Sequence, residues 1–300
     1  MIKTWIISLR PWSFTAAVIP VSLGAFIALT QGFFSFPLFF LTLLGGIAIQ
    51  AGTNLINTYG DYVSGVDTEE SATTVPFLVK GVLQPQQVKL AGIIAFAVAG
   101  TIGFYLVYLR GWPLLFLGIL GIIGGYTYTA GPMPYKYKGL GSILVFFLMG
   151  PMMVWGAYYV QAGQHSWSVV WASLPVAFLV SAILHANDLR DLEYDRKAGI
   201  STLALMLGKK SSYSFYYALN IGAFLSVPGL IALGKLPLMS ILPFLLLPQA
   251  RKIFKDCQES RFGNKIKSNM LEAAAAQFHF QFGLLLVAGL LINHFTKGLL

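Results

Sequence analysis

Two acid-rich stretches have the residue types and spacing to do chemistry together. In ANDLRDLEYDRKAGISTL, residues 186–203, Asn187, Asp191 and Asp195 recur every fourth position and so stack along one face of a helix. Asp188 and Glu193 add two more acids nearby. In NTYGDYVSGVD, residues 57–67, Asn57 and Asp61 repeat the spacing, Asn54 sits one turn earlier, and Asp67 follows. Crowded carboxylates repel one another and drift toward the protonated form unless a cation joins them. Mg²⁺ takes hard oxygen ligands and bridges carboxylates to phosphates. The pattern therefore predicts two faces that meet across a cavity and hold divalent metal, Mg²⁺, against a diphosphate. Arg190, Arg196, Lys136 and Lys138 occupy loops within reach and would neutralise the remaining phosphate charge.

The elements that must position these faces are membrane helices. Of the 300 residues, 56% are hydrophobic and only 10% charged, with a mean hydropathy of +0.71. A soluble domain carries about 25% charged residues. Nine apolar segments, at 13–30, 37–59, 88–109, 112–130, 140–162, 167–187, 212–233, 236–250 and 273–295, approach the length of about 20 residues that a spanning helix needs. With nine spans, all of the 20 Lys and Arg except Arg110, Lys235 and Lys297 fall on the side of the N-terminus. The positive-inside rule makes that side cytoplasmic. All 11 acids lie there too, which the rule does not demand, so the expectation is an acid-rich cytoplasmic mouth. Spans 2 and 6 each end in an Asn/Asp pattern, Asp61 in one and Asp191 in the other, four helices apart. An even number of helices keeps one orientation, so the repeat is parallel. The predicted fold is an all-α integral membrane protein: nine transmembrane helices, two parallel four-helix repeats around a central cavity plus one extra helix, forming a single domain over residues 1–300.

Other classes of function fit less well. The formal charge of +9 is spread over short loops between apolar spans, which is membrane topology rather than a nucleic-acid surface. The single cysteine, Cys257, makes no intramolecular disulfide, and no cysteine–histidine spacing suggests zinc. No cleavable signal peptide is evident in MIKTWIISLRPWSF. His279, between Gln277 and Gln281, reads as an interhelical hydrogen-bond partner, and His185 as a packed histidine. The basic stretch from Arg251 to Lys267 suits anionic lipid headgroups. A cation transporter or channel with an acidic ring is the competing class. Transporters favour inverted repeats and midplane sites, whereas these acids cluster at one mouth.

The residues also carry a family resemblance. NDLRDLEYDRKAGISTL resembles the second aspartate motif of the UbiA superfamily of intramembrane prenyltransferases. NTYGDYVSGVD resembles the first motif of the branch that prenylates 1,4-dihydroxy-2-naphthoate in menaquinone synthesis. LRPWSFTAAVIPVSLG, residues 9–24, and YTAGPMPYKYKGLGSILVFFLMGPMMVWGAYYVQ, residues 128–161, are similar to the same branch. The likeness extends to about Lys210 and is unspecific beyond.

The resemblance implies a nine-helix bundle whose aspartate motifs bind Mg²⁺ and the diphosphate of a polyprenyl donor, with the donor tail between helices or in lipid. An aromatic acceptor would attack the allylic cation through carbon and, in the naphthoate branch, lose its carboxyl as CO₂ to give demethylmenaquinone. Carried over residue by residue, Asn57, Asp61 and Asp67 match the first metal face, and Asp191 and Asp195 the second, with Asn187 beside them. Asp61, Asp191 and Asp195 are the expected catalytic acids. Arg10, Asn54, Tyr128, Lys138 and Arg190 are the expected substrate-binding residues. Two positions depart from the pattern: Pro76 stands where relatives usually place an Arg, and Ser142 where they place an acid. These departures leave other acceptors open: 4-hydroxybenzoate, homogentisate or haem.

Overall fold

The computed structural model describes residues 1–71 and 75–296, and Lys297 of the charge count lies outside them. A short helix, α1 (Ile2–Ser8), and a 3₁₀ turn (Pro11–Phe14) lead into α2 (Thr15–Thr30). Then come α3 (Phe36–Val63), α4 (Pro85–Arg110) and α5 (Pro113–Thr127). The chain continues through α6 (Gly141–Phe147) and α7 (Met153–Ala162), which a π-turn at Leu148–Met152 joins into one rod. After α8 (Trp167–Ala172) and α9 (Leu174–Lys197) come α10 (Leu203–Ala232), a 3₁₀ stretch (Leu238–Leu246), α11 (Leu247–Arg261) and α12 (Lys265–Thr296). Proline opens α3, α4, α5 and α9 in the first turn, where its missing N–H is no loss and its φ is already helical.

All nine apolar segments are helical, but their limits differ from the hydropathy limits. Among the described residues, six helices are long and apolar enough to cross a membrane by themselves: Pro11–Thr30, Phe36–Val63, Pro85–Arg110, Gly141–Ala162, Leu203–Ala232 and Lys265–Thr296. The segment at 112–130 holds a helix of only 15 residues, α5. The segment at 236–250 is not one α-helix. Pro243 lies within the 3₁₀ stretch, and the α-helix starts only around Pro248 and then runs into polar sequence. The sixth segment does not stop at residue 187, because α9 runs unbroken to Lys197. Its acids are therefore helix residues, not loop charges.

Helix pairing follows chain order: α2 on α3, α3 on α4, α4 on α5, and again α6 on α9, α9 on α10, α10 on the 3₁₀ stretch. Helix α12 packs across α2, α9 and α11. Small residues permit the close crossings. A β-carbon at Gly24 would collide with the Val154 carbonyl of α7, and one at Gly283 with Ile19 of α2.

The two acid-bearing helices end in the same way. Gly65 and Gly199 adopt left-handed φ values of 74° and 72°, a conformation that costs glycine nothing. The chain then folds back, so that the amide of Val66 donates to the Asp61 carbonyl at 2.8 Å and that of Ile200 to the Asp195 carbonyl at 3.2 Å. Counted from these endings, Asp61 corresponds to Asp195 and Asn57 to Asp191. The matching endings thus pair Asp61 with Asp195, whereas the motifs alone suggest a pairing of Asp61 with Asp191.

Candidate active site

On α3, Asn54, Asn57 and Asp61 share one face, as their spacing requires. Asn54 faces the N-terminal segment: its amide donates to the Leu9 carbonyl and to Ser13 Oγ, both at 2.8 Å. That tie seats Arg10, which has a left-handed φ of 53°. The Arg10 guanidinium is buried, 3.5 Å from Thr58 Oγ1, and its Nε has no partner. Asn57 donates to Asp61 Oδ2 at 2.8 Å.

Lys136 crosses from the loop after α5 to Asp61, with Nζ 3.0 Å from Oδ1 and 2.9 Å from Oδ2. Tyr137 donates to Oδ1 at 2.7 Å. The loop is folded inward by the Lys136 amide bonding to the Tyr128 carbonyl at 3.0 Å. Tyr128 and Tyr135 meet edge to face at 5.4 Å. Burial works against the Lys136 ammonium, but Asp61 outweighs it and holds Lys136 charged well above the usual lysine range. Lys138, the expected substrate contact, has an exposed side chain. Residues 135–137 form a 3₁₀ turn, in which residues two apart point to different sides. Lys136 therefore goes in and Lys138 out.

On α9, Arg190 forks onto Asp191, Nε to Oδ1 at 2.8 Å and Nη2 to Oδ2 at 2.6 Å. A third nitrogen pairs with Glu272, and Asn187 donates to the same Glu272 oxygen at 3.2 Å. Glu272 comes from α12, two turns inside a helix that starts at Lys265, and it is buried. It does not sit in the loop before the last span. Asp195 accepts from Thr202 at 3.2 Å through Oδ2. Its Oδ1, and Oδ1 of Asp188, are buried without a partner. Glu193 points outward. Asp67 is half-buried beyond the end of α3, where burial, and then the charge of Asp61, push its carboxyl up to about 6.

A cavity of about 320 Å³ opens beside these groups. Arg10, Asn54, Asn57, Tyr128, Asn187 and Glu272 line its polar end, and side chains of α3 to α7 and α9 make the rest almost wholly apolar. Among the described residues, no three of the acids and histidines stand ready to hold a metal as they lie. The reason is visible: Lys136 and Arg190 already occupy Asp61 and Asp191. The donor set is nevertheless hard oxygen throughout. A buried carboxylate oxygen with no partner, as on Asp188 and Asp195, is the kind of group a cation satisfies. The residues present fit Mg²⁺.

Tyr137 and Glu272 are the site residues that motif reading did not single out; Lys136 and Asp188 read from the sequence as a nearby base and acid, and the structure brings both into the site. Ser142 is fully buried at the start of α6 and its hydroxyl has no partner, while Pro76 opens the turn that its carbonyl closes with the Lys80 amide. His279 and Thr15 share a hydrogen bond at 2.9 Å between α12 and α2, and Gln281 accepts from Gln249 at 2.6 Å. Both are the interhelical contacts their positions predict.

An all-α, multi-pass membrane fold with acids, amides and a buried arginine at the polar end of a largely apolar cavity is that of a lipid-embedded enzyme. The chain belongs to the UbiA prenyltransferase family, whose sequence pattern matches residues 17–261. It is 32% identical to the 1,4-dihydroxy-2-naphthoate octaprenyltransferase of Bacillus subtilis over 95% of this chain and 91% of that one. It is also 32% identical to the UbiA prenyltransferase domain-containing protein 1 homolog of Drosophila melanogaster, over 98% of this chain and 80% of the other. The fold is that of the UbiA homolog from Aeropyrum pernix K1 (TM-score 0.65, 14% identity, covering 93% and 97% of the two chains). It also matches the Archaeoglobus fulgidus homolog bound to GPP and Mg²⁺ (TM-score 0.61, 16% identity, 95% and 99%). The chain is a prenyltransferase.

Proposed function

We propose that the enzyme transfers a polyprenyl group from polyprenyl diphosphate to 1,4-dihydroxy-2-naphthoate, with loss of the ring carboxyl, giving a demethylmenaquinone in its reduced form. The observation that carries this reading is that Asp61, Asp188, Asp191, Asp195 and Lys136 lie within electrostatic reach of one another, with Asp61 paired to Lys136 and Asp191 to Arg190, beside a largely apolar cavity whose polar end is lined by Arg10, Asn57, Asn187 and Glu272. The Bacillus subtilis relative supplies the acceptor.

Asp61, Asp191 and Asp195, with Asn57, Asp67 and Asn187, would hold Mg²⁺. When bound, the ion stabilises charge on the departing diphosphate. Lys136 and Arg190 would turn from their carboxylates to diphosphate oxygens, and Arg10 would add a third positive charge. The donor C–O bond breaks with its electron pair going to the diphosphate. A ring carbon of the acceptor then forms the new C–C bond, and the carboxyl leaves as CO₂, its pair returning to the ring. The apolar wall keeps water from the allylic cation, and the faces of Tyr128 and Tyr135 would stabilise it. In the bilayer the chain forms nine spans in two parallel repeats plus α12, with the N-terminus and the acid mouth at the cytoplasmic face, as the distribution of bases supports.

The test is turnover of purified protein in liposomes with Mg²⁺, this acceptor and a set of prenyl diphosphates, with products identified by mass. Prenylated product lacking the carboxyl supports the reading. Product only from 4-hydroxybenzoate, homogentisate or haem replaces the acceptor and keeps the reaction class.

A further inference from the structure

Asp188 is the buried acid of α9 that has no task in the reaction described above. Arg190 holds Asp191, and Thr202 donates to Asp195. Asp188 is only 1% exposed, keeps one oxygen without a partner and, among the described residues, forms no ion pair. A carboxylate buried in that way is costly unless something completes it. Of the charges around it, Lys136 acts on it most strongly. Asp188 in turn is the charge that acts most strongly on Tyr128, whose ring centre lies 5.8 Å from Lys136 Nζ. Lys136 is bonded to Asp61 and thus has a second carboxylate within reach of its charge.

A second observation comes from the start of α6. Helices α6 and α9 pack in opposite directions: a β-carbon at Gly141 would lie 3.5 Å from Leu184, and the Ser142 carbonyl accepts from Ser181 at 2.8 Å. The same β-carbon would lie 3.6 Å from Lys136 Cα and 3.7 Å from the Tyr128 ring. Asp188 follows Leu184 by one turn on the same face, about 10 Å beyond Ser181 at about 1.5 Å per residue. Helical side chains lean toward their own N-terminus, so Asp188 and a side chain at position 142 lean toward each other. Position 142 is where relatives place an acid. Here the Ser142 hydroxyl is short, fully buried and without a partner. The charge that α6 lacks is present on α9.

We propose that Asp188 is the second seat of the Lys136 ammonium. When Asp61 turns to a cation, Lys136 swings to the free oxygen of Asp188, so its charge stays compensated. An ammonium has three N–H donors, so the others remain free for the diphosphate. Asp188 does from α9 what an acid at 142 would do from α6. It is a positioning residue that acts through Lys136, and it deepens the Mg²⁺ and diphosphate reading on which it rests.

The first test needs no metal. Unfolding midpoints in detergent with a chelator are compared for Asp188→Asn in the wild-type protein and in Asp61→Asn. With Asp61 present, the change should leave the midpoint unaltered or raise it, because it removes an unpartnered carboxylate from among other acids. In Asp61→Asn it should lower the midpoint by several degrees, because Lys136 then loses its remaining seat. The same shift in both backgrounds overturns the proposal. The second test is Mg²⁺ affinity by calorimetry. Asp188→Asn should weaken it about ten-fold beside Lys136 and less than about three-fold beside Lys136→Met. Equal losses in both backgrounds would make Asp188 a direct ligand, and no loss in either would make it a packing residue; each overturns the seat. Ser142→Glu added to Asp188→Asn should bring the affinity back to within about three-fold of wild type. A folded double variant without that recovery overturns the exchange with α6. If the wild-type protein binds no Mg²⁺, the metal reading falls, and the metal-free comparison still decides whether Asp188 seats Lys136.

Discussion

The carbonyl oxygens of Asp61 and Asp195 occupy the same place in two copies of one helix ending, each accepting the amide five residues on, past a left-handed glycine. The two carboxylates are thereby presented from equivalent positions of two like helix endings, one turn after Asn57 and Asp191 respectively. If both serve one bound cation, they act as a unit. Asp61→Asn and Asp195→Asn should then each lower Mg²⁺-dependent turnover by about 10²–10³-fold, and the double variant should lose little more than either. Losses that multiply would show two independent sites. Steady-state rates of the three variants decide it.

Removing Asp61 has a second effect that must be separated from catalysis. Its partner Lys136 is almost fully buried, and a buried ammonium left alone costs about 3–5 kcal/mol. Asp61→Asn should therefore lower the unfolding midpoint in detergent. Adding Lys136→Met should restore most of that midpoint without restoring turnover. A double variant as unstable as Asp61→Asn would show that the pair matters through packing and not through charge.

Much of this arrangement can be read from residue order. The Asn-x-x-x-Asp spacing needs only helical periodicity, and the apolar segments lie largely in helical backbone, though not as nine separate spanning helices. What escapes is set by neighbours that are distant in the chain. Hydropathy ends a segment where apolar residues end, but the backbone of α9 has no reason to stop at residue 187, and α12 starts at Lys265, eight residues before the ninth apolar segment begins. Glu272 thus looks like a loop acid and is a buried partner of Arg190. The choice between Lys136 and Lys138 depends on a single 3₁₀ turn that the sequence KYK does not announce. The likeness of the two helix endings was legible in the Gly65-Val66 and Gly199-Ile200 pairs, which follow Asp61 and Asp195 at equal distance.

Asp67 should make metal binding depend on pH. Burial first, then the charge of Asp61, push its carboxyl up to about 6, so below that pH it carries a proton that a bound cation must displace. The apparent Mg²⁺ affinity should weaken as pH falls through about 6 and level off well above it. Titration calorimetry from about pH 5 to about pH 8 measures this, with proton release read from two buffers of different ionisation enthalpy. Asp67→Asn should bind more weakly at high pH and lose the dependence near 6. An unchanged profile in Asp67→Asn would assign the titration to another acid of the cluster.

Glu272 divides the attention of Arg190. The guanidinium reaches Asp191 through two nitrogens and Glu272 through a third, so Glu272 draws positive charge toward α12 and away from a carboxylate that a metal must take. Without it, Arg190 would neutralise Asp191 alone and compete harder with any cation there. Glu272→Gln keeps the shape and the contact with Asn187 while removing the charge. It should raise the Mg²⁺ concentration needed for half-maximal rate by about 10-fold, within the range that outer-shell partners of a metal site command. The rate at saturating Mg²⁺ should change far less. A variant whose maximal rate collapses while its Mg²⁺ requirement stays put would place Glu272 against the substrate instead, as its position in the cavity wall also allows. Measuring both constants in the same titration separates the two roles.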